Sequence, residues 1–140
     1  MIIPALIPRM VTWLFPNRVW QIPTAQKEIF LSFDDGPHPR ITPMVLDMLA
    51  SHGAKASFFC IGDRVKRFPG IYQRILDEGH AIGNHTFHHL NGWKTNDADY
   101  LTNITEAALC IDSRLFRPPY GRIKGSQARA IVAKGFKTIM

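Results

Sequence analysis

Three short runs in this 140-residue chain carry side chains that could do chemistry together. They are Asp34 and Asp35 in Ser32-Phe33-Asp34-Asp35-Gly36-Pro37, His85 and His89 in His85-Thr86-Phe87-His88-His89, and Arg117 and Tyr120 in Arg117-Pro118-Pro119-Tyr120-Gly121. Two histidines four apart can face one way on a turn. With one carboxylate they make a facial two-histidine, one-carboxylate metal site that leaves positions open for water. Either Asp34 or Asp35 can supply that carboxylate. Successive residues of an extended backbone point to opposite sides, so one aspartate can bind a metal while its neighbour reaches a water as general base. The plainer alternatives are an Asp-Asp-Gly-Pro turn formed only for its turn chemistry, histidines that decorate a surface, and an Arg117 spent in a structural ion pair.

Such residues need a scaffold that brings them to one rim. Residues 28–33 form a short apolar run closed by turn residues and read as a buried strand. Thr42 followed by Pro43 predicts a helix start, with Val45, Leu46, Met48 and Leu49 as its apolar face and Gly53 at its end. A strand over 54–61, a helix over 69–78 capped by Gly79 and a strand over 80–84 follow. Thr95 or Asn96 caps a third helix running to about residue 109. A strand over 113–117, a helix over 126–134 and a fifth strand over 135–140 complete the pattern. Alternating strands and helices predict repeated βαβ units and a parallel sheet. A full (β/α) barrel takes ~250 residues, so the expected fold is α/β, an incomplete (β/α) barrel with about five parallel strands. All three polar runs fall at C-terminal ends of predicted strands, the rim where barrel active sites lie.

Composition narrows the class: 46% hydrophobic and 20% charged residues build a core rather than a disordered tail. The net charge of +6 comes from scattered single residues such as Lys27, Arg40, Lys55 and Arg74. That pattern is a solvated basic surface, and no nucleic-acid partner is expected. Cys60 and Cys110 form no Cys-x-x-Cys pair, which argues against a zinc knuckle or a disulfide framework; Cys60, at the end of an apolar run, reads as a buried free thiol. The first fifteen residues are apolar, but Pro4, Pro8 and Arg9 interrupt them and they fall short of the ~20 residues of a membrane span. Residues 1–26 therefore read as an N-terminal arm before a domain over 27–140. No signal peptide is recognisable, which points to a cytoplasmic location.

In order and spacing, the three runs resemble the first three motifs of the NodB-like polysaccharide deacetylases, carbohydrate esterase family 4, and the likeness covers about residues 29–140. The resemblance implies that Asp34 is the general base and that Asp35, His85 and His89 hold a divalent metal. Zinc is the usual ion in that family, with cobalt, nickel or magnesium as alternatives. It further implies that Arg117 orients the base, that the Tyr120 amide helps bind an oxyanion, and that Pro119 and Tyr120 contact substrate. The implied reaction is hydrolysis of N-acetyl groups on an acetylated polysaccharide or oligosaccharide, releasing acetate. A non-catalytic remnant that binds metal or glycan, and a hydrolase of a non-sugar amide, are the rival readings. Family members continue into a strand with a tryptophan and an acidic residue, then a Leu-x-His-type motif whose histidine is the general acid. Trp13, Trp20 and Trp93 lie outside that pattern and no histidine follows Gly121, so these features would lie beyond Met140. A truncated domain of this kind is expected to turn over weakly and to expose a sheet edge that a homo-oligomer would cover. His38 and His88 are expected to be bystanders.

Overall fold

The computed structural model describes residues 7–140, so the first part of the apolar N-terminal run lies outside the described residues. Six strands form one sheet: β1 (Arg18–Val19), β2 (Leu31–Gly36), β3 (Ala56–Cys60), β4 (Ala81–Asn84), β5 (Leu115–Phe116) and β6 (Lys137–Ile139). Their order is β1-β6-β5-β4-β3-β2, and every neighbouring pair is parallel. Strands β2 to β6 thus lie side by side in chain order, as an incomplete (β/α) barrel requires.

The helices among the described residues are α1 (Arg9–Leu14), α2 (Ile41–Ser51), α3 (Gly62–Arg67), α4 (Pro69–Asp77), α5 (Asp97–Ala108) and α6 (Gly125–Ala133). The two-residue period of β3 sorts its side chains between two faces. Ala56, Phe58 and Cys60 pack in an apolar cluster with Leu46 and Leu49 of α2, Val65 of α3, Tyr72 and Ile75 of α4, and Ala107 of α5. Phe59 turns to the opposite, concave face, which it lines with Ser32, Ser57, Leu115, Arg117 and Ile139. Gly83 of β4 makes room for it, since a Cβ at residue 83 would lie 2.4 Å from the Phe59 ring. A second apolar cluster joins Tyr100 and Ile104 of α5 to Phe116 of β5, Ala128 and Ile131 of α6, and Phe136. Cys60 is fully buried with a free thiol, which burial pushes up to about 12.

Three local expectations need correction. The segment before residue 27 contributes a strand: Arg18 pairs with Thr138 and Val19 with Ile139. The outer edge of β6, expected bare, is therefore covered by β1, and two residues are too few to show a period in sequence. Helix α3 was not foreseen, because it is six residues long and buries only Gly62 and Val65. Its start needs glycine, since a Cβ on Gly62 would meet the Phe87 ring at 2.4 Å and the Ala107 Cα at 3.1 Å. Helix α2 begins at Ile41, so Thr42 does not cap it and Pro43 is its third residue. The Thr42 hydroxyl accepts from the His38 amide at 2.8 Å, and His38 Nδ1 accepts from the amides of Arg40 and Ile41, each at 3.2 Å. A histidine expected to be a surface bystander is thus the group that closes the start of α2. Asn96, one of the two candidate caps of α5, accepts from the Asp99 amide at 2.9 Å. No helix among the described residues is long and apolar enough to cross a membrane.

Candidate metal centre

Strand β2 pairs regularly with β3 as far as Asp34, opposite Phe59, and then slips so that Gly36 pairs with Cys60. Asp35 is the extra residue of this bulge, with φ of 64°. A bulge re-aims a side chain, and here the two aspartates diverge: Asp34 reaches Arg117, whereas Asp35 reaches both histidines. Arg64 of α3 donates to the Asp35 carbonyl and holds the bulge from outside.

The histidines sit on the segment that follows β4. The His85 amide donates to the Cys60 carbonyl at 2.9 Å, as if extending the strand. Beyond it the chain leaves regular structure, and its amides are satisfied by buried side chains. Asn84 Oδ1 accepts from the Thr86 amide at 2.9 Å, and Asn84 Nδ2 donates to the Ile104 carbonyl of α5 at 2.9 Å. Asn103 Oδ1 accepts from the amides of Phe87 and His88 at 2.9 and 3.0 Å, and Thr86 Oγ1 accepts from Leu90 at 3.2 Å.

These constraints place His85 Nε2 3.4 Å and His89 Nε2 3.0 Å from Asp35 Oδ1. One ligand atom from each of the three residues lies within 4.8 Å of the others. Ligands bound at ~2.1 Å to one ion stand about 3.0 Å apart at a right angle and about 3.4 Å apart at the tetrahedral angle, the separations of Asp35 Oδ1 from the two histidine nitrogens. His85 is 2% exposed, and its Nδ1 lies 2.7 Å from the Arg117 carbonyl. The ring therefore donates there and presents the Nε2 lone pair to the cluster, the usual way a ligand imidazole is oriented. Burial holds His85 below the ordinary histidine range, against the opposing pull of Asp34 and of the Arg117 carbonyl. Neutral histidine is the form that ligates.

Arg117 follows β5. Its Nη1 donates to Asp34 Oδ1 at 2.8 Å and to the Ser32 hydroxyl at 2.9 Å, and its guanidinium lies 4.0 Å over the Phe59 ring. Ser32 shares a strand face with Asp34, two residues away. Tyr120 sits in a short 3-10 turn with the buried Pro119, with φ of 60°, and its ring meets the His89 ring edge-on at 4.7 Å. Ser32, Asp34, Arg117, Pro118 and Tyr120 line an open cleft of about 430 Å³. The non-glycine residues with positive φ among the described residues are Asp35, Thr86, His89 and Tyr120. Each belongs to one of the three polar runs, so backbone strain in this fold is gathered at a single place. His88 instead packs edge-on against Phe87. Ser32, Arg64, Asn84 and Asn103 were not marked by the sequence pattern, because their partners lie on other elements.

Residues 21–139 match the polysaccharide deacetylase family model, a stretch that contains all three polar runs. The chain belongs to the polysaccharide deacetylase family. It is 38% identical over 126 residues to a peptidoglycan-N-acetylglucosamine deacetylase of Bacillus cereus, covering 86% of this chain and 59% of that protein. It is 42% identical over 103 residues to a chitooligosaccharide deacetylase of Azorhizobium caulinodans, covering 69% of this chain and 49% of that protein. The crystal structure of a peptidoglycan N-acetylglucosamine deacetylase in complex with 4-naphthalen-1-yl-N-oxidanyl-benzamide superposes with a TM-score of 0.86 at 34% identity, covering 91% of this chain and 63% of that one. This family member thus spans between 45% and 59% of the length of the curated relatives it matches first.

Proposed function

We propose that the chain forms the metal- and base-bearing part of a deacetylase that hydrolyses N-acetyl groups on an N-acetylated sugar polymer, releasing acetate. The observation that carries this reading is the direct abutment of two clusters on one rim: Asp35 with His85 and His89, and Asp34 with Arg117. The substrate class rests on relatives named for peptidoglycan and for chitooligosaccharide.

Asp35 Oδ1, His85 Nε2 and His89 Nε2 would hold the ion. Two neutral nitrogens with one carboxylate oxygen suit zinc, with cobalt or nickel as substitutes and magnesium the poorer match. Bound there, a divalent cation supplies Lewis acidity toward an amide carbonyl and toward a water. Asp34 is the base. Arg117 engages its Oδ1, which leaves Oδ2 to take the proton of an attacking water. Ser32 and the Phe59 ring hold the guanidinium in turn, so the carboxylate stays aimed. Tyr120, fixed in a left-handed backbone conformation beside His89, is assigned the oxyanion-binding amide, and with Pro119 it borders the bound acetamide.

The test is acetate release from N-acetylglucosamine oligomers by the zinc-loaded chain, its chelated form and Asp34→Asn. Release that requires both zinc and Asp34 supports the proposal. Undiminished release after chelation contradicts it, and stoichiometric metal binding with no release would replace it with the reading of a non-catalytic metal binder.

A further inference from the structure

Asn103 lies on α5, outside every polar run, yet it is 6% exposed and its carboxamide oxygen accepts two successive amides, those of Phe87 and His88. These amides belong to the middle of the segment whose ends are His85 and His89. Between the two histidines the backbone makes neither helix nor strand, and it places both Thr86 and His89 at positive φ. Such a segment does not hold its own shape; it must be held from outside. The start of α3 holds its carbonyls, with the Gly62 and Asp63 amides donating to Thr86 and Phe87 at 3.0 and 3.1 Å, and α5 holds its amides. Asn103 takes two of the amides, and the next residue, Ile104, accepts at its carbonyl from Asn84, whose other side-chain atom takes the Thr86 amide. Helix α5 is itself seated on the sheet by Tyr100, Ile104 and Ala107, which are buried in the apolar clusters.

We propose that Asn103 is a positioning residue of the metal site: by taking the Phe87 and His88 amides it sets the spacing of the His85 and His89 imidazoles around Asp35. This rests on the reading of Asp35, His85 and His89 as metal ligands. A carboxamide suits the task because one oxygen accepts two N–H groups at once. Leucine, of similar size, offers no acceptor, whereas aspartate keeps one.

The experiment is an equilibrium titration with Co(II), followed through its visible absorption bands, on the parent chain, Asn103→Leu and Asn103→Asp, with folding checked by circular dichroism. Asn103→Leu is expected to weaken Co(II) binding about 10–100-fold and to alter the bands, the usual result of losing a group that orients a ligand, while Asn103→Asp stays within about threefold of the parent. A folded Asn103→Leu with parental affinity and bands overturns the proposal and leaves Asn103 a purely structural residue. Should the leucine variant not fold, Asn103→Ala is read in its place by the same criterion. A parent chain that binds no Co(II) overturns both this inference and the metal-site reading beneath it. Binding that survives the loss of the Asn103 acceptor overturns this inference alone.

Discussion

Arg117 Nη1 lies 2.8 Å from Asp34 Oδ1, although 83 residues separate the two in sequence. The Asp34 side chain is 41% exposed, so the pair adds little stability of its own, and what matters is how firmly Arg117 is held. The arginine side chain is 18% exposed, shares the same nitrogen with the Ser32 hydroxyl, and rests on the Phe59 ring. Its flat guanidinium lies on that ring while Nη1 alone serves both oxygens, a combination that a lysine ammonium does not reproduce. Arg117→Lys is therefore expected to lower kcat for acetate release about tenfold or more with KM little changed, because substrate binding does not depend on aiming the base. Steady-state kinetics check this, and an unchanged kcat would reduce Arg117 to a structural role.

The divergence of the two aspartates at the β2 bulge separates their duties. Asp34→Asn keeps the shape of the side chain and removes the proton acceptor. Acetate release should fall by about 10²–10⁴, the usual contribution of a positioned base, with metal affinity preserved. Asp35→Asn should do the reverse first, weakening the metal. Parallel calorimetric titrations and rate measurements distinguish the two variants, and a loss of metal binding in Asp34→Asn would exchange their assignments.

Gly83 supplies a test of the concave face. Its missing Cβ is the space that the Phe59 ring fills, and that ring supports the guanidinium of Arg117. Gly83→Ala is expected to destabilise the chain by about 1–3 kcal/mol, as overpacking commonly does, and to lower kcat as well. Urea unfolding gives the first quantity. A variant as stable as the parent would show that Phe59 can move aside freely.

Much of this site was legible in the sequence because its chemistry is concentrated in three short runs at strand ends. The strands β2 to β6 and the helices α2 and α4 to α6 were expected from the sequence, but the run over 28–33, expected to be a buried strand, leaves Ile29, Phe30 and Leu31 exposed and becomes strand only from Leu31. What the sequence could not show was contact between distant segments. Asn84 and Asn103 look like ordinary polar residues of a strand and a helix, and only the fold turns them toward the backbone of the histidine segment. Ser32 and Arg64 are invisible for the same reason. His38 was misread because an imidazole nitrogen can accept amide hydrogens at a helix start much as an aspartate or serine oxygen does, a use that residue type alone does not signal. The divergence of Asp34 from Asp35 was expected from strand alternation, but its cause is a register slip and a left-handed residue, which sequence spacing does not reveal.

His80, far from the metal cluster, should make stability depend on pH. It is 7% exposed, its Nδ1 accepts from the Ala56 amide at 3.3 Å, and its Nε2 faces Glu78 Oε2 at 3.7 Å. Burial, then the charge of Lys55, hold it below its ordinary value of 6.5, against Glu78. Between the lowered folded value and 6.5 the unfolded chain binds more protons than the folded one, so this contribution is complete above about 6.5 and declines as the pH falls below it. Denaturant titrations of the metal-free chain at about pH 7 and pH 5 should show a larger loss for the parent than for His80→Gln. Equal losses would mean that His80 titrates normally in the fold.

Crystals grown with zinc and measured at the zinc absorption edge test most directly whether Asp35, His85 and His89 hold a divalent ion beside Asp34. The expected result is one anomalous peak within about 2.0–2.2 Å of Asp35 Oδ1, His85 Nε2 and His89 Nε2, with Asp34 outside bonding distance. An ion bound elsewhere, or ligated by Asp34 in place of Asp35, would contradict it.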